Sequence, residues 1–187
     1  MSTTTIEDPV KDARRRIDRL QEFAQIAPAD SSRIRRHLDA LRREEASVLA
    51  AAREAPNEVE EKLRQLRTRL AIAQNSLLAD LSDEWTTFVA AVEDELRSWD
   101  TYLERLQATA AAKAGSARER AEAAIADVRT ERIAVYDRLA QARADVDGAW
   151  NEQRNRVGAA RDELERKAVE LEQHILPHAT AKPVTHG

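Results

Sequence analysis

Four histidines and several carboxylate pairs are the side chains in this sequence whose types could support chemistry. Only His174 and His178 lie close together, and Pro177 between them breaks the one-face geometry that an i, i+4 helical pair offers a metal ion. The neighbouring Glu170 and Glu172 do not form the Glu-x-x-His unit of metal-holding helical bundles. His37 reads as a boundary residue of a helix, and His186 as part of a tail. Glu44-Glu45 and Glu60-Glu61 are acidic pairs, but acid–base work needs carboxylates in a desolvated cleft, and adjacent acids on a helix ordinarily face solvent. No His-Glu-x-x-His, phosphate-binding glycine loop or glycine-flanked serine occurs, and the chain has no cysteine for thiolate chemistry or disulfides. The sequence therefore points to no catalytic residue, no metal, no cofactor and no small-molecule substrate, and to a protein that is not an enzyme.

The elements that would position any such residues are helical. From Asn57 to Leu176 the chain runs without proline, and Gly115, Gly148 and Gly158 are its sole glycines there. Charged residues make up 34% of the chain and aromatics 4%, a composition that favours coiled coil or an elongated bundle over a globule with a thick core. A first helix is expected from Asp8-Pro9, with a seam of Val10, Ala13, Ile17, Leu20, Ala24 and Ala27 at alternating spacings of three and four. Pro28 to Ser32 breaks it. A second helix follows, with Ile34, Leu38, Leu41, Val48, Leu49 and Ala52 inward and Glu45 on the seam, needing an arginine or solvent. Pro56-Asn57 marks the next boundary, with Asn57 and Glu60 placed to form a capping box.

Gly115-Ser116 is the clearest turn signal in the long half: a glycine for a left-handed cap, then serine as N-cap with Glu119 as its partner. It divides that half into arms of 58 and 61 residues, 57–114 and 116–176, each about 90 Å long if continuous at about 1.5 Å per residue. The expected fold is thus all-α: an elongated antiparallel helical hairpin over 56–176 with its turn near 115. A short helical hairpin over 8–55 forms a bundle at its base, flanked by disordered ends at 1–7 and 177–187. Gly148 and Gly158 read as weak spots, not turns. A break near Ser82 is left open, because the apolar spacing slips to four-residue steps from Leu81 onward. Antiparallel pairing about Gly115 brings Trp85, Phe88, Trp99 and Trp150 into one aromatic cluster.

Charge gives the one pointer to a partner. Nine arginines, Arg14, Arg15, Arg16, Arg19, Arg33, Arg35, Arg36, Arg42 and Arg43, stand against four acids between positions 14 and 43, whereas positions 80–104 hold eight acids and Arg97 alone. The nine arginines are either salt-bridged to other helix faces or a docking patch for an acidic partner. The net charge of −4 gives no global attraction to nucleic acid, which is not the expected partner. With no leader-like segment or apolar span, a cytoplasmic, bacterial-type protein is expected. The leading expectation is a non-catalytic coiled-coil scaffold or adaptor, self-associating as a homodimer or binding another protein. The alternative is an amphipathic protein coating a lipid or polymer granule surface, an apolipoprotein-like or phasin-like role. A regulator holding nucleic acid on the arginine-rich helices ranks third.

Overall fold

The apolar seams become the buried faces of six helices. The computed structural model describes residues 4–26, 31–145 and 148–175. Among these the regular structure is helical: α1 (Thr4–Ile26), α2 (Ser31–Glu54), α3 (Val59–Leu81), α4 (Trp85–Ala111), α5 (Gly115–Ala144) and α6 (Trp150–Ile175), with a 3-10 turn at Pro56–Glu58. Val10, Ala13, Ile17 and Leu20 of α1 are buried, as are Ile34, Leu38, Leu41 and Val48 of α2 and Val59, Leu63, Leu66, Leu70, Ala73 and Leu77 of α3. Ala52 is half-buried, but Leu49, expected inward, is exposed, because it follows Val48 and so lies about 100° round the helix from the buried face. The first helix begins at Thr4, ahead of the expected Asp8. Residues 1–3, and the tail expected at 177–187 with His178 and His186, lie outside the described residues, as do Ala27 and Pro28.

The continuous 90 Å arms do not form. The first is divided at Ser82-Asp83-Glu84, where Ser82 turns extended (φ −76°, ψ 128°) and its hydroxyl donates to the Glu84 carbonyl at 3.0 Å. Serine and aspartate offer the backbone local bonds that compete with helix, so this break needs neither proline nor glycine. The second arm is divided between Ala144 and Trp150, and Gly148 lies in that connection, not inside a helix. There Asp145 leaves helical geometry and its carboxylate accepts from the Gln153 side chain, a bond that a Cβ on Gly148 would run into. Gly158, by contrast, stays within α6. Helices of 23 to 30 residues, about 35–45 Å long, replace the two long arms.

α2, α3, α4 and α6 form a closed ring: α2 packs on α3, α3 on α4, α4 on α6 and α6 on α2. α1 lies outside against α2 and α3, and α5 lies outside against α4 and α6. Two apolar clusters result. One joins α1, α2 and α3 around Leu41 and Leu66, and the other joins α4, α5 and α6 around Trp99, Leu106, Ile125 and Leu164. α3 serves both, sending Ile72 and Ala79 into the second.

The turn at 112–115 is present, with Gly115 at φ +56°. The expected serine cap is not: Ala114 occupies the cap position without a side-chain hydrogen bond, and no capping box forms at Asn57, which lies in the 3-10 turn. Nothing lies within 4 Å of a Cβ built on Gly115, so the positive φ alone sets the effect of a substitution. Gly115→Ala is expected to lose about 1 kcal/mol, read as a lower urea midpoint at unchanged slope.

Candidate functional site

The ring encloses a layer of charged and polar side chains that bridges both of its diagonals. α3 and α6 stand opposite one another, and Arg69 crosses between them. Its guanidinium is fully buried, donates to Glu165 Oε1 at 2.5 Å and lies 3.0 Å from Glu172 Oε1. It also stacks over the Trp99 ring at 4.9 Å and lies 5.9 Å from the Tyr102 ring. α2 and α4 form the other diagonal, and Tyr102 crosses it: its hydroxyl is 2.6 Å from Glu44 Oε1 and 3.2 Å from Glu172 Oε1. Arg161 of α6 reaches back to α3, donating to the Ser76 carbonyl and hydroxyl at 3.0 and 2.9 Å and to Asp80 at 2.7 Å, and it binds Glu95 of α4 at 2.8 Å.

Burial sets the protonation of this layer. Glu44 is pushed up to about 7 by burial, against the pull of the Tyr102 hydroxyl and with Glu172 adding to the rise. Glu165 is likewise raised to about 7 by burial, although Arg69 opposes it. For Arg69 burial disfavours the charge, but Glu165 and Glu172 more than offset it and raise the guanidinium further. His37 is held well below its usual value by burial and then by Arg69, Arg161, Arg33 and Arg36, so the imidazole is neutral. Arg69 Nη1 lies 3.1 Å from His37 Nδ1. Glu165 Oε1 lies 3.3 Å from the same nitrogen, and Nε2 is buried without a hydrogen-bond partner among the described residues.

His37 is therefore a buried member of the charge layer and not a boundary residue. His174 is exposed in the last turn of α6. Among the described residues no group of three or more His, Cys, Asp or Glu side chains is arranged to hold a metal ion. Five carboxylates do enter the layer, but Glu165 and Glu172 are paired with Arg69, Asp80 and Glu95 with Arg161, and Glu44 bonds to Tyr102. Adjacent acids also separate: Glu44 is fully buried and faces Tyr102, whereas Glu45 is mostly buried and binds the exposed Arg14 at 2.7 Å.

The nine N-terminal arginines divide into two groups. Arg33 is buried and donates to Asp80 at 2.6 Å, Asp162 at 3.0 Å and the Gly158 carbonyl at 2.9 Å. Arg36 joins it on Asp162 at 2.6 Å, and Arg43 binds the buried Glu172 at 2.9 Å. These three tie α2 to α6. Arg14, Arg15, Arg16, Arg19, Arg35 and Arg42 stay on the surface, with Arg42 on Gln21 at 2.8 Å. Arg15 and Arg16 share the half-exposed Asp12, and such pairs contribute little.

Arg15, Arg16 and Arg19 rim a groove of about 620 Å³ between α1 and α3. Phe23, Leu78 and Leu81 stand at its other end and are 55%, 50% and 41% exposed. The aromatics also divide. Trp85, Phe88 and Trp150 pack together with centroids 5.2 to 6.0 Å apart, pinning the α3–α4 and α5–α6 connections to one another. Trp99 instead makes an edge contact with Tyr102 at 5.9 Å, in the charge layer. The sequence reading missed Arg69, Arg161, Tyr102, Glu44 and Glu165. Arg69, Tyr102, Arg161 and Glu165 adjoin the apolar seam residues Leu70, Leu103, Ala160 and Leu164, whereas Glu44 adjoins only the charged seam residue Glu45.

No family model, no curated protein and no solved structure matches this chain. No described helix is long and apolar enough to cross a membrane.

Proposed function

We propose that this protein is a non-catalytic helical adaptor that takes a helix of another protein against its outer surface. The α1–α3 groove carries the reading: three of the six exposed large apolar side chains among the described residues, Phe23, Leu78 and Leu81, line this one feature. Apolar side chains gathered at a surface, with a polar rim, mark an interaction site more often than scattered ones do. The titratable side chains at the centre support the same reading. They are spent on one another across the ring, and their contribution is to fix which helix faces which. The groove is a trough between two packed helices, which favours helix-in-groove docking over coating of a flat lipid or polymer surface.

A library of helical peptides panned against the intact chain is expected to enrich binders that Phe23→Asp and Leu78→Asp each weaken at least tenfold. Both positions are about half exposed, so the substitutions test the surface and not the core. Enrichment of nothing, or of peptides indifferent to both changes, rejects the adaptor reading.

A further inference from the structure

We infer that the partner helix is acidic and amphipathic, and that it lies along the α1–α3 groove with carboxylates over Arg15 and Arg19 and apolar side chains against Phe23 and Leu78. The inference rests on the adaptor reading and adds the chemistry of its partner. Arg15, Arg19 and Phe23 follow one another at i, i+4 and so form a single ridge on α1. Gln74 and Leu78 on α3 do the same, as do Leu77 and Leu81. The groove between these ridges runs from a basic end to an apolar end over about three turns, or roughly 17 Å along α1.

Charge selects the occupant. Arg19 makes no ion pair with any described residue, and Arg15 meets Asp12 only at 3.8 Å while Arg16 holds that carboxylate at 3.0 Å. Three guanidinium groups thus face one carboxylate at the basic end. An occupant must bring negative charge there and apolar surface at the other end. An anionic bilayer offers both, but it is flat on this scale, and it cannot fill a trough between two helices without lifting off its walls. A helix carrying glutamates on its flanks and leucines on its face meets both demands.

The probe is a fluorescein-labelled synthetic 18-residue helix with leucine at i, i+3, i+4 and i+7 and flanking glutamates, compared with versions in which glutamine or lysine replaces glutamate. Anisotropy against the intact chain is expected to show binding of the glutamate helix, at least tenfold weaker binding of the glutamine helix, and weakening of the former between 50 and 200 mM salt. The double substitution Arg15→Glu with Arg19→Glu should lose the glutamate helix and gain the lysine helix, while circular dichroism stays unchanged because both side chains are at the surface. Equal binding of glutamate and glutamine helices overturns the acidic partner and leaves the adaptor reading standing. Failure of every helix together with failure of the peptide panning overturns both. Binding of phosphatidylglycerol vesicles but of no helix, lost in Phe23→Asp, assigns the groove to a membrane instead. A concentration-dependent dimer abolished by Phe23→Asp assigns it to a second copy of this chain.

Discussion

Arg69→Met is expected to destabilise the fold by about 3–5 kcal/mol, a fall in Tm of roughly 6–20 °C for a chain of this size. The loss comes less from the arginine's own bonds than from what it leaves behind. Glu165 and Glu172 are both buried and lose the guanidinium between them. A carboxylate without a counter-charge in such surroundings has to take up a proton or force the helices apart. The defect should therefore be larger at pH 8 than at pH 5, where Glu165, raised to about 7 by burial, is already neutral. Adding Glu165→Gln and Glu172→Gln to Arg69→Met is expected to restore part of the loss, because the uncompensated charges go with the acids and the three sites are coupled. A single variant that loses under about 1 kcal/mol, or a defect flat with pH, would contradict the burial of this ion pair.

Glu44→Gln is expected to cross the parent protein in stability as pH changes. In the folded chain Glu44 keeps its proton up to about pH 7, against 4.5 in an unfolded chain. A raised acid stabilises the fold fully below 4.5, and that stabilisation is lost as pH rises through about 7. The amount is at most about 3 kcal/mol. His37 works in the opposite sense, since its depressed value gives stability present above 6.5 and lost as pH falls through its folded-state value. The groups that act on Glu44 are Tyr102 of α4, Glu172 of α6, and Lys62 and Arg69 of α3. Glutamine keeps an acceptor for the Tyr102 hydroxyl and cannot ionise. Urea midpoints taken from pH 5 to 8 should thus show the variant no better than the parent at pH 5 and more stable at pH 8. Parallel curves for the two proteins would mean that Glu44 does not carry this proton.

The legible and illegible parts of the fold divide on one physical line. Periodicity reads which face of a helix is apolar, and Val10 to Leu20, Val59 to Leu77 and Phe88 to Leu106 are inward as the spacing requires. Gly115 was legible because a positive φ nearly demands glycine. Ser82 and Asp83 were not decisive, because the same residues are tolerated in helices and only tertiary packing of α3 back on α4 selects the break. The centre of the ring was hidden for a related reason. A buried arginine and a solvated one have the same letter, and 25 arginines were available. Arg69 is singled out by the two acids that α6 delivers to it from 96 and 103 positions away. The groove was half legible: its arginines stood out, but Phe23 and Leu78 gained meaning only when α1 came to lie on α3.

Those separations also govern the order of assembly. α3 with α4, and α5 with α6, are neighbours in sequence and can pair after closing short connections, whereas Arg69 to Glu165 spans 96 residues and Arg33 to Asp162 spans 129. Contacts of that range carry the larger closure entropy and so come late. The layer then checks the alignment of pieces already formed. An α6 docked out of step so that Ala168, Val169 or Arg161 meets Arg69 in place of Glu165 sets an apolar group or a like charge where a carboxylate is required; of the slips by three or four residues, the one that brings Asp162 alone supplies an acid, on a shorter side chain. Most such misaligned bundles are thus left with buried charge unanswered, and the centre of the ring works as a proofreader of the fold.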